Sequence, residues 1–220
     1  MNIQINGATL TPIFSKSINI FSLLSGTPNL NVALTHAVAD EARGYLYYNR
    51  QCNTWIFCGL NQISPKNFSK MVLLLESPHK DEFSASGHPL RPANGKTGKK
   101  INQLLGKIVS NNSPKSLNNG TIYKVYLVNA IQYQTSCYLG LHVYPWYSKN
   151  WRTIRNSVFK CLWNDNNLGL QKDLCTRIKM INPSIIMNCV TGGNNPKGLR
   201  AMVEQLVHSN NLYNHPSSWH

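Results

Sequence analysis

Acidic residues are scarce in this sequence, and their scarcity sets the overall charge. Only 8 Asp and Glu residues stand against 22 Lys and Arg residues, so the formal net charge is +14 at pH 7. An excess of this size indicates a polyanionic partner, either a nucleic acid or an anionic membrane surface. Any local cluster of acidic side chains in such a chain therefore suggests a purpose.

Long apolar runs are also missing. No stretch approaches the roughly 18 apolar residues that a membrane-spanning helix needs. The start MNIQINGATLTPIF does not have the basic and then apolar layout of a signal peptide. We therefore expect a cytoplasmic protein whose polyanionic partner is a nucleic acid and not a membrane.

Cysteine pairs with metal-binding spacing are absent as well. The six cysteines, at positions 52, 58, 137, 161, 175 and 189, include no Cys-x-x-Cys pair. Neither a zinc ribbon nor a regular iron–sulfur spacing is visible, so we expect no metal and no cofactor. In a cytoplasmic chain the cysteines are expected to be reduced and mostly structural.

Three short apolar runs are present, and they are typical of strands buried on both faces of a parallel sheet. They are MVLLLESP at 71–78, IYKVYLVNAI at 122–131 and PSIIMNCV at 183–190. Helical periodicity separates them, and a short fourth strand precedes His215. This order predicts an α/β fold, a three-layer α/β/α sandwich with a central, mainly parallel four-stranded sheet.

The length of 220 residues suits a single domain. Residues 71–220 carry the strands and form the expected core, and residues 1–70 are predicted to be an N-terminal elaboration packed on it. Within that elaboration, apolar residues at helical spacing between Leu30 and Asn49 predict an amphipathic helix. Further helices are predicted over KTGKKINQLLGKIVS at 96–110, over 150–179, and from Pro196 through Leu206.

Polar residues at the ends of the predicted strands are the candidate catalytic groups, because open α/β sheets bind ligands beyond the carboxyl ends of their strands. Glu76 ends the first run, where a carboxylate without a partner would be costly. Asn129 ends the second, where its amide could hydrogen-bond a heterocycle or simply form a turn. His215 follows the last strand, and taken alone it fits a structural role as well as a catalytic one.

Two more acidic residues, Asp81 and Glu82, follow Glu76 closely in the sequence. Surface ion pairs are common and contribute little to stability. We interpret this pair as part of a solvated loop in which both carboxylates are neutralised by Lys80.

Four short motifs, in this order, resemble those of the uracil-DNA glycosylase superfamily, and most closely those of its iron–sulfur branch. Leu75-Glu76-Ser77-Pro78-His79 stands where the branch has a Gly-Glu-Ala-Pro-Gly-like strand end, and His215-Pro216-Ser217 resembles its His-Pro-Ser motif. Between them, Gly87-His88-Pro89-Leu90 and Gly98-Lys99-Lys100-Ile101 resemble its Gly-x-Pro-Phe loop and the Gly before a helix. Val125-Tyr126-Leu127-Val128-Asn129 resembles its strand that ends in Asn. The resemblance spans roughly 71–220.

This resemblance implies a monomeric DNA glycosylase that flips a damaged or modified base out of DNA and hydrolyses its N-glycosidic bond. The process served would be base-excision repair or defence against phage with modified bases. Catalysis falls to Glu76, a carboxylate near the sugar, and His215, a donor near the departing base. The implied base-binding residues are Ser77, Pro78, His79, Leu90 and Asn129. The expected DNA-binding residues are Lys96, Lys99, Lys100, Gly192, Gly193, Pro216, Ser217, Ser218 and Trp219, the last as a wedge that fills the gap in the stack.

The chain departs from the branch at three places. Asn129-Ala130-Ile131-Gln132-Tyr133 lacks the cysteine of the branch's cluster, so we predict that no iron–sulfur cluster is bound. Leu90 replaces the aromatic residue that stacks on the base, and Leu75 replaces the Gly at the strand end. Uracil is therefore not assigned as the substrate.

Parts of the sequence also resemble the motifs of two other functions. A non-enzymatic nucleic-acid-binding protein is the main alternative, because aromatic and basic residues mix in QYQTSCYLGLHVYPWYSKNWRTIR at 132–155. Asn94-Gly95-Lys96-Thr97 ends like a phosphate-binding loop, but Leu90 stands where that motif requires its first Gly. Base release makes DNA labile to alkali, which binding alone does not do.

Overall fold

A computed structural model of the chain describes residues 3–5, 8–14, 19–24, 32–34, 37–84, 88–112, 116–133, 135, 152, 155–156, 159–160, 162–192, 195–196, 198–209 and 211–220. Over these residues the protein is mixed α/β, as the sequence predicts, and its strands form two sheets. The first sheet is antiparallel, with its strands adjacent in chain order. Its strands are β1 (Ile3–Ile5), β2 (Ala8–Phe14), β3 (Asn19–Leu24) and β4 (Val32–Leu34).

The second sheet holds the six other strands of the described chain. They are β5 (Glu41–Asn49), β6 (Thr54–Gly59), β7 (Ser69–Leu75), β8 (Tyr123–Asn129), β9 (Ile185–Asn188) and β10 (Asn211–Leu212). Their order across the sheet is β10-β9-β7-β8-β5-β6. The first four are mutually parallel, and β5 and β6 add an antiparallel pair beside β8. The sheet is therefore wider than the four strands that the sequence predicts.

The helix predicted between Leu30 and Asn49 is wrong, because β4 and β5 occupy that segment. β5 pairs with β8 along one edge and with β6 along the other. Its tyrosines and Leu46 suit a strand packed on both sides, and tertiary pairing overrides a local helical spacing. The predicted boundary after residue 70 consequently passes through this sheet, since β5 and β6 precede it.

The described helices are α1 (Lys96–Asn112), α2 (Leu170–Ile181) and α3 (Leu199–Val207). Short 3-10 turns span Lys80–Glu82 and Pro216–Ser218. α1 and α3 agree with the predicted helices, whereas the predicted tract 150–179 is interrupted by a turn at 166–169 before α2. No helix in the described part of the chain is long and apolar enough to cross a membrane.

Side chains that alternate along β7 divide the core between the two faces of the sheet. Met71, Leu73 and Leu75 belong to an apolar cluster that includes Ile101, Leu105 and Val109 of α1. Val72 and Leu74 belong to a second cluster with Leu170 and Leu174 of α2 and Leu199 and Val203 of α3. Burial on both faces explains the continuous apolar run of β7, and the run ends at Glu76, the first residue after the strand, which is itself buried.

Candidate active site

A cleft of about 730 Å³ opens at the carboxyl ends of the four parallel strands. Each of the four strands contributes a residue at or just beyond its carboxyl end to the lining of the cleft. These residues are Glu76 after β7, Asn129 at the end of β8, Thr191 after β9 and His215 after β10. The first turn of α1 closes another side with Lys96. This volume lies within the range of roughly 300–1,000 Å³ that is typical of sites for small ligands.

The structure brings most of the predicted site residues together around this cleft. The predicted residues that line it are Glu76, Ser77, Pro78, His79, Lys96, Asn129, Gly192, His215, Ser217 and Ser218. Lys99 and Lys100 lie in the first turns of α1 but not in the lining, and Pro216 is buried behind it. Gly193 lies outside the described residues.

Leu90, predicted to contact the base, does not line the cleft. Its side chain is 54% exposed, and its backbone N–H donates to the Glu82 carbonyl at 2.8 Å. This bond turns the loop so that Leu90 points to solvent. The base-binding prediction for Leu90 is therefore corrected.

Trp219, predicted to be a wedge for the DNA stack, is instead part of the core. It is 4% exposed and belongs to the apolar cluster on the α1 face of the sheet. Its indole Nε1 donates to the Asn214 carbonyl at 2.9 Å, and its own carbonyl accepts from the Lys100 ammonium. The wedge prediction is wrong for this conformation, and the exposed hydroxyls of Ser217 and Ser218 stand at that edge of the cleft instead.

Glu76 is 4% exposed and holds one strong ion pair. Its Oε1 lies 3.0 Å from Nε of Arg155, while Oε2 has no hydrogen-bond partner among the described residues. Burial raises the pKa of Glu76, and the charge of Arg155 and hydrogen bonds from Thr191 act to lower it. Arg155 therefore holds the carboxyl group at Oε1, and the buried Oε2 is the oxygen without a hydrogen-bond partner among the described residues.

Arg155 is a site residue that sequence reasoning did not assign to the site. In the sequence, Arg155 is only one of several basic residues in the aromatic segment 132–155. Besides Glu76, its guanidinium contacts Oδ1 of Asn156, at 2.9 Å from Nη2. No local pattern marks it, because the contact joins residues 79 positions apart (155 − 76).

His215 is held by the short turn that it starts. Its Nδ1 lies 3.3 Å from the backbone nitrogen of Ser217 and 2.8 Å from the Ser217 hydroxyl. Because a backbone N–H can only donate, Nδ1 must be an acceptor, and the neutral ring then carries its hydrogen on Nε2. Burial, with the charges of Arg155 and Arg200, lowers the pKa of His215 to about 4. At neutral pH the imidazole is an uncharged donor.

Asn129 and Glu82 form a buried polar pair in the floor of the cleft. Nδ2 of Asn129 donates to Oε2 of Glu82 at 3.3 Å, and the His79 backbone N–H donates to Oε1 at 3.1 Å. Oδ1 of Asn129 has no hydrogen-bond partner within the described residues. Glu82 is 4% exposed, so its interpretation as part of a solvated loop is wrong. The loop folds back over it through the Leu90 N–H bond to its carbonyl.

Neither a metal-binding cluster nor a set of paired cysteines lies among the described residues. In the part of the chain that is described, no group of three His, Cys, Asp or Glu residues is placed to hold a metal ion. Cys52, Cys58, Cys175 and Cys189 are free thiols there. The aromatic and basic residues of the alternative function that lie outside the described residues are Tyr138, Tyr144, Trp146, Tyr147, Lys149 and Trp151.

Comparisons with known proteins leave the chain without an assigned family. No protein-family model, no curated protein and no solved structure matches it at a significant level. The arrangement of the cleft residues therefore carries the functional argument.

Proposed function

We propose that this protein is a DNA glycosylase that captures a flipped, damaged or modified base and hydrolyses its N-glycosidic bond. One observation carries the proposal: a buried carboxylate, Glu76, and a neutral imidazole donor, His215, line the same cleft at the ends of parallel strands. The four parallel strands, with helices on both faces, support the three-layer α/β/α sandwich that the sequence predicts.

The chemistry of glycosidic hydrolysis matches these two groups. As the bond between C1′ and the base nitrogen breaks, its electron pair leaves with the base and positive charge builds on the sugar. The Glu76 carboxylate stabilises that charge, and its Oε2 accepts a proton from the water whose oxygen bonds to C1′. Nε2–H of His215 donates to the departing base as negative charge develops on it.

Arg155 supports both roles from one position. Its charge lowers the pKa of Glu76, which favours the carboxylate, and it also lowers the pKa of His215, which favours the neutral imidazole. Arg155 thus acts on both groups in the direction that the proposed reaction requires: against the rise that burial causes in the pKa of Glu76, and together with burial on the pKa of His215.

The surroundings of the cleft suit a DNA backbone. The chain carries a net charge of +14, and Lys96, Thr97 and Arg152 line the cleft at its edge. Backbone N–H groups at the start of α1 add an electropositive helix end, a common phosphate site. We place the protein in the cytoplasm, as a monomer acting on host DNA or on invading phage DNA.

The test is the identification of released bases. Duplexes containing uracil, hypoxanthine or phage-type modified bases are incubated with the protein, and the small-molecule fraction is analysed by mass spectrometry. We expect one class of free base together with alkali-labile sites, and neither product with Glu76→Gln. Tight binding to every duplex without base release would instead support the non-enzymatic nucleic-acid-binding protein.

A further inference from the structure

The orientation of the Asn129 amide follows from its partner, Glu82. A carboxylate oxygen accepts hydrogen bonds, so the group 3.3 Å from Glu82 Oε2 must be the NH₂ end of the amide. The reverse orientation would set two acceptor oxygens against each other. The amide oxygen Oδ1 is then the end without a partner, and it is buried in a residue that lines the cleft.

Glu82 is itself held in place as an acceptor. It lies in the 3-10 turn after β7, and the backbone N–H groups of His79 and Ala93 donate to it in addition to the Asn129 amide. Three N–H donors around one carboxyl group favour its ionised form, whereas burial favours the neutral form. The balance raises the pKa of Glu82 to about 7, so above neutral pH it is mainly an acceptor.

An asparagine with a free amide could donate to a carbonyl and accept from an N–H on the same heterocycle edge. Here Glu82 accepts from one of the two N–H groups and so fixes the orientation of the amide, which leaves the acceptor Oδ1 as the end without a partner that a ligand can meet. A carbonyl oxygen of the base next to Oδ1 would place two acceptors against each other. An exocyclic amino group in the same place could donate a hydrogen bond to Oδ1. A buried polar group without a partner is unfavourable, which makes such a mismatch selective.

We propose that Glu82 is a specificity-determining residue that orients Asn129 and so selects a base with an exocyclic amino group over its carbonyl counterpart. The inference rests on the proposed function, because it names the class of base that the same cleft takes. Cytosine-type and adenine-type bases are favoured, and uracil-type and hypoxanthine-type bases are disfavoured.

The experiment compares two matched pairs of bases that differ by an amino group or a carbonyl at one position. The pairs are 5-hydroxymethylcytosine with 5-hydroxymethyluracil, and adenine with hypoxanthine. Each base is placed opposite an abasic analogue, so that no partner base has to be separated before flipping. Single-turnover release rates and equilibrium affinities are measured at pH 8 for the wild-type protein, Glu82→Gln and Asp165→Asn.

We expect the wild-type protein to favour the amino member of a pair by about ten- to a hundredfold. Glu82→Gln should reduce that ratio by about tenfold, because a side-chain amide can donate to Asn129 as well as accept from it. Asp165→Asn makes the same change of carboxylate to amide outside the cleft lining and should leave the ratio unchanged.

The two readouts separate the inference from the proposed function. If the amino member binds more tightly and this preference falls in Glu82→Gln, but no base is released, then the glycosylase proposal fails and the inference stands. Equal binding of both members by the wild-type protein overturns the inference, as does a preference for the carbonyl member. A preference that survives Glu82→Gln overturns it as well.

Discussion

Burial acts in opposite directions on the ionisable groups of the cleft. It raises the pKa values of Glu76 and Glu82, and it lowers that of His215, because in each case the charged form is disfavoured. Arg155 then favours an ionised Glu76 over a protonated one. The cleft consequently combines a buried carboxyl group, paired with a guanidinium, and an uncharged imidazole, which are the two groups that the proposed hydrolysis uses.

The Arg155–Glu76 contact makes a prediction about the pH dependence of activity. Arg155→Met removes the charge that lowers the pKa of Glu76, so this pKa should rise and the carboxylate should be lost at a higher pH. The acid limb of the rate against pH should therefore move to higher pH. Arg50→Met is the control, because Arg50 is exposed and lies outside the cleft lining, so the limb should stay in place. An unshifted limb in Arg155→Met contradicts the proposed electrostatic role.

Glu82 makes a prediction about stability. Its pKa is raised from 4.5 to about 7 in the folded state, so the folded protein holds this proton more tightly than the unfolded chain. The stability of the wild-type protein should therefore fall as pH rises through that window. The Gln side chain of Glu82→Gln cannot ionise, so the variant does not lose this stability. The free energy of unfolding of the variant minus that of the wild type should therefore increase by on the order of 3 kcal/mol between pH 4.5 and pH 8.

Urea denaturation across this pH range measures the difference between the two proteins. The titratable neighbours His79 and Asp81 are present in both, so their contributions largely cancel in the difference. A difference that does not change with pH would show that Glu82 titrates in the folded protein as it does in the unfolded chain.

At the scale of elements, the sequence predicts best where one local pattern determines the structure. β7, β8 and β9 are confirmed because an unbroken apolar run suits a strand covered on both faces. β5 was mistaken for a helix because its pairing with β6 and β8 involves distant residues. The burial of Glu82 was missed for a related reason, since it depends on how the loop after β7 folds back.

The site residues, too, could be predicted where a local pattern places them and not where distant contacts do. Parallel strands end at one edge, so the presence of Glu76, Asn129 and His215 around one cleft followed from topology. The ion pair of Arg155 with Glu76 and the burial of Trp219 in the core could not be predicted in this way. Both depend on contacts between residues far apart in the sequence, which no sequence motif indicates.

The close packing of α1 against β6 leads us to expect that one added methyl group on α1 destabilises the protein. A Cβ added at Gly106 would lie 2.5 Å from the backbone oxygen of Trp55. Gly106→Ala should therefore destabilise the protein by about 1–3 kcal/mol, even though alanine favours a helix by about 1 kcal/mol over glycine. Gly59→Ala is the control, because an added Cβ there meets only a side-chain atom at 4.0 Å. Equal unfolding midpoints for the two variants would contradict this packing.

At the scale of the whole molecule, the excess of basic residues and the position of the cleft act together. Polyanion binding by a chain of net charge +14 should release counterions, so that DNA affinity falls steeply with salt. Under the proposed function, the start of α1 would direct part of this attraction to the cleft. Binding and chemistry are thus expected to depend on separable groups.

A salt titration tests whether the cleft edge contacts phosphate. Lys96→Ala should lower the slope of log affinity against log salt by about 1, and it should weaken binding to all sequences alike. Lys179→Ala is the control, since Lys179 lies in the last turn of α2 and not in the cleft lining. A slope unchanged by Lys96→Ala would remove this lysine from the DNA-binding surface.

The proposal that His215 donates a hydrogen bond to the departing base is tested most directly with His215→Ala. Its single-turnover rate of base release is measured beside its affinity for the same duplex. Loss of a donor that acts as charge develops should lower the rate about a hundred- to a thousandfold and leave affinity nearly unchanged. His88→Ala, which removes an exposed histidine outside the cleft lining, should keep the parental rate. Release by His215→Ala at the parental rate would contradict the account.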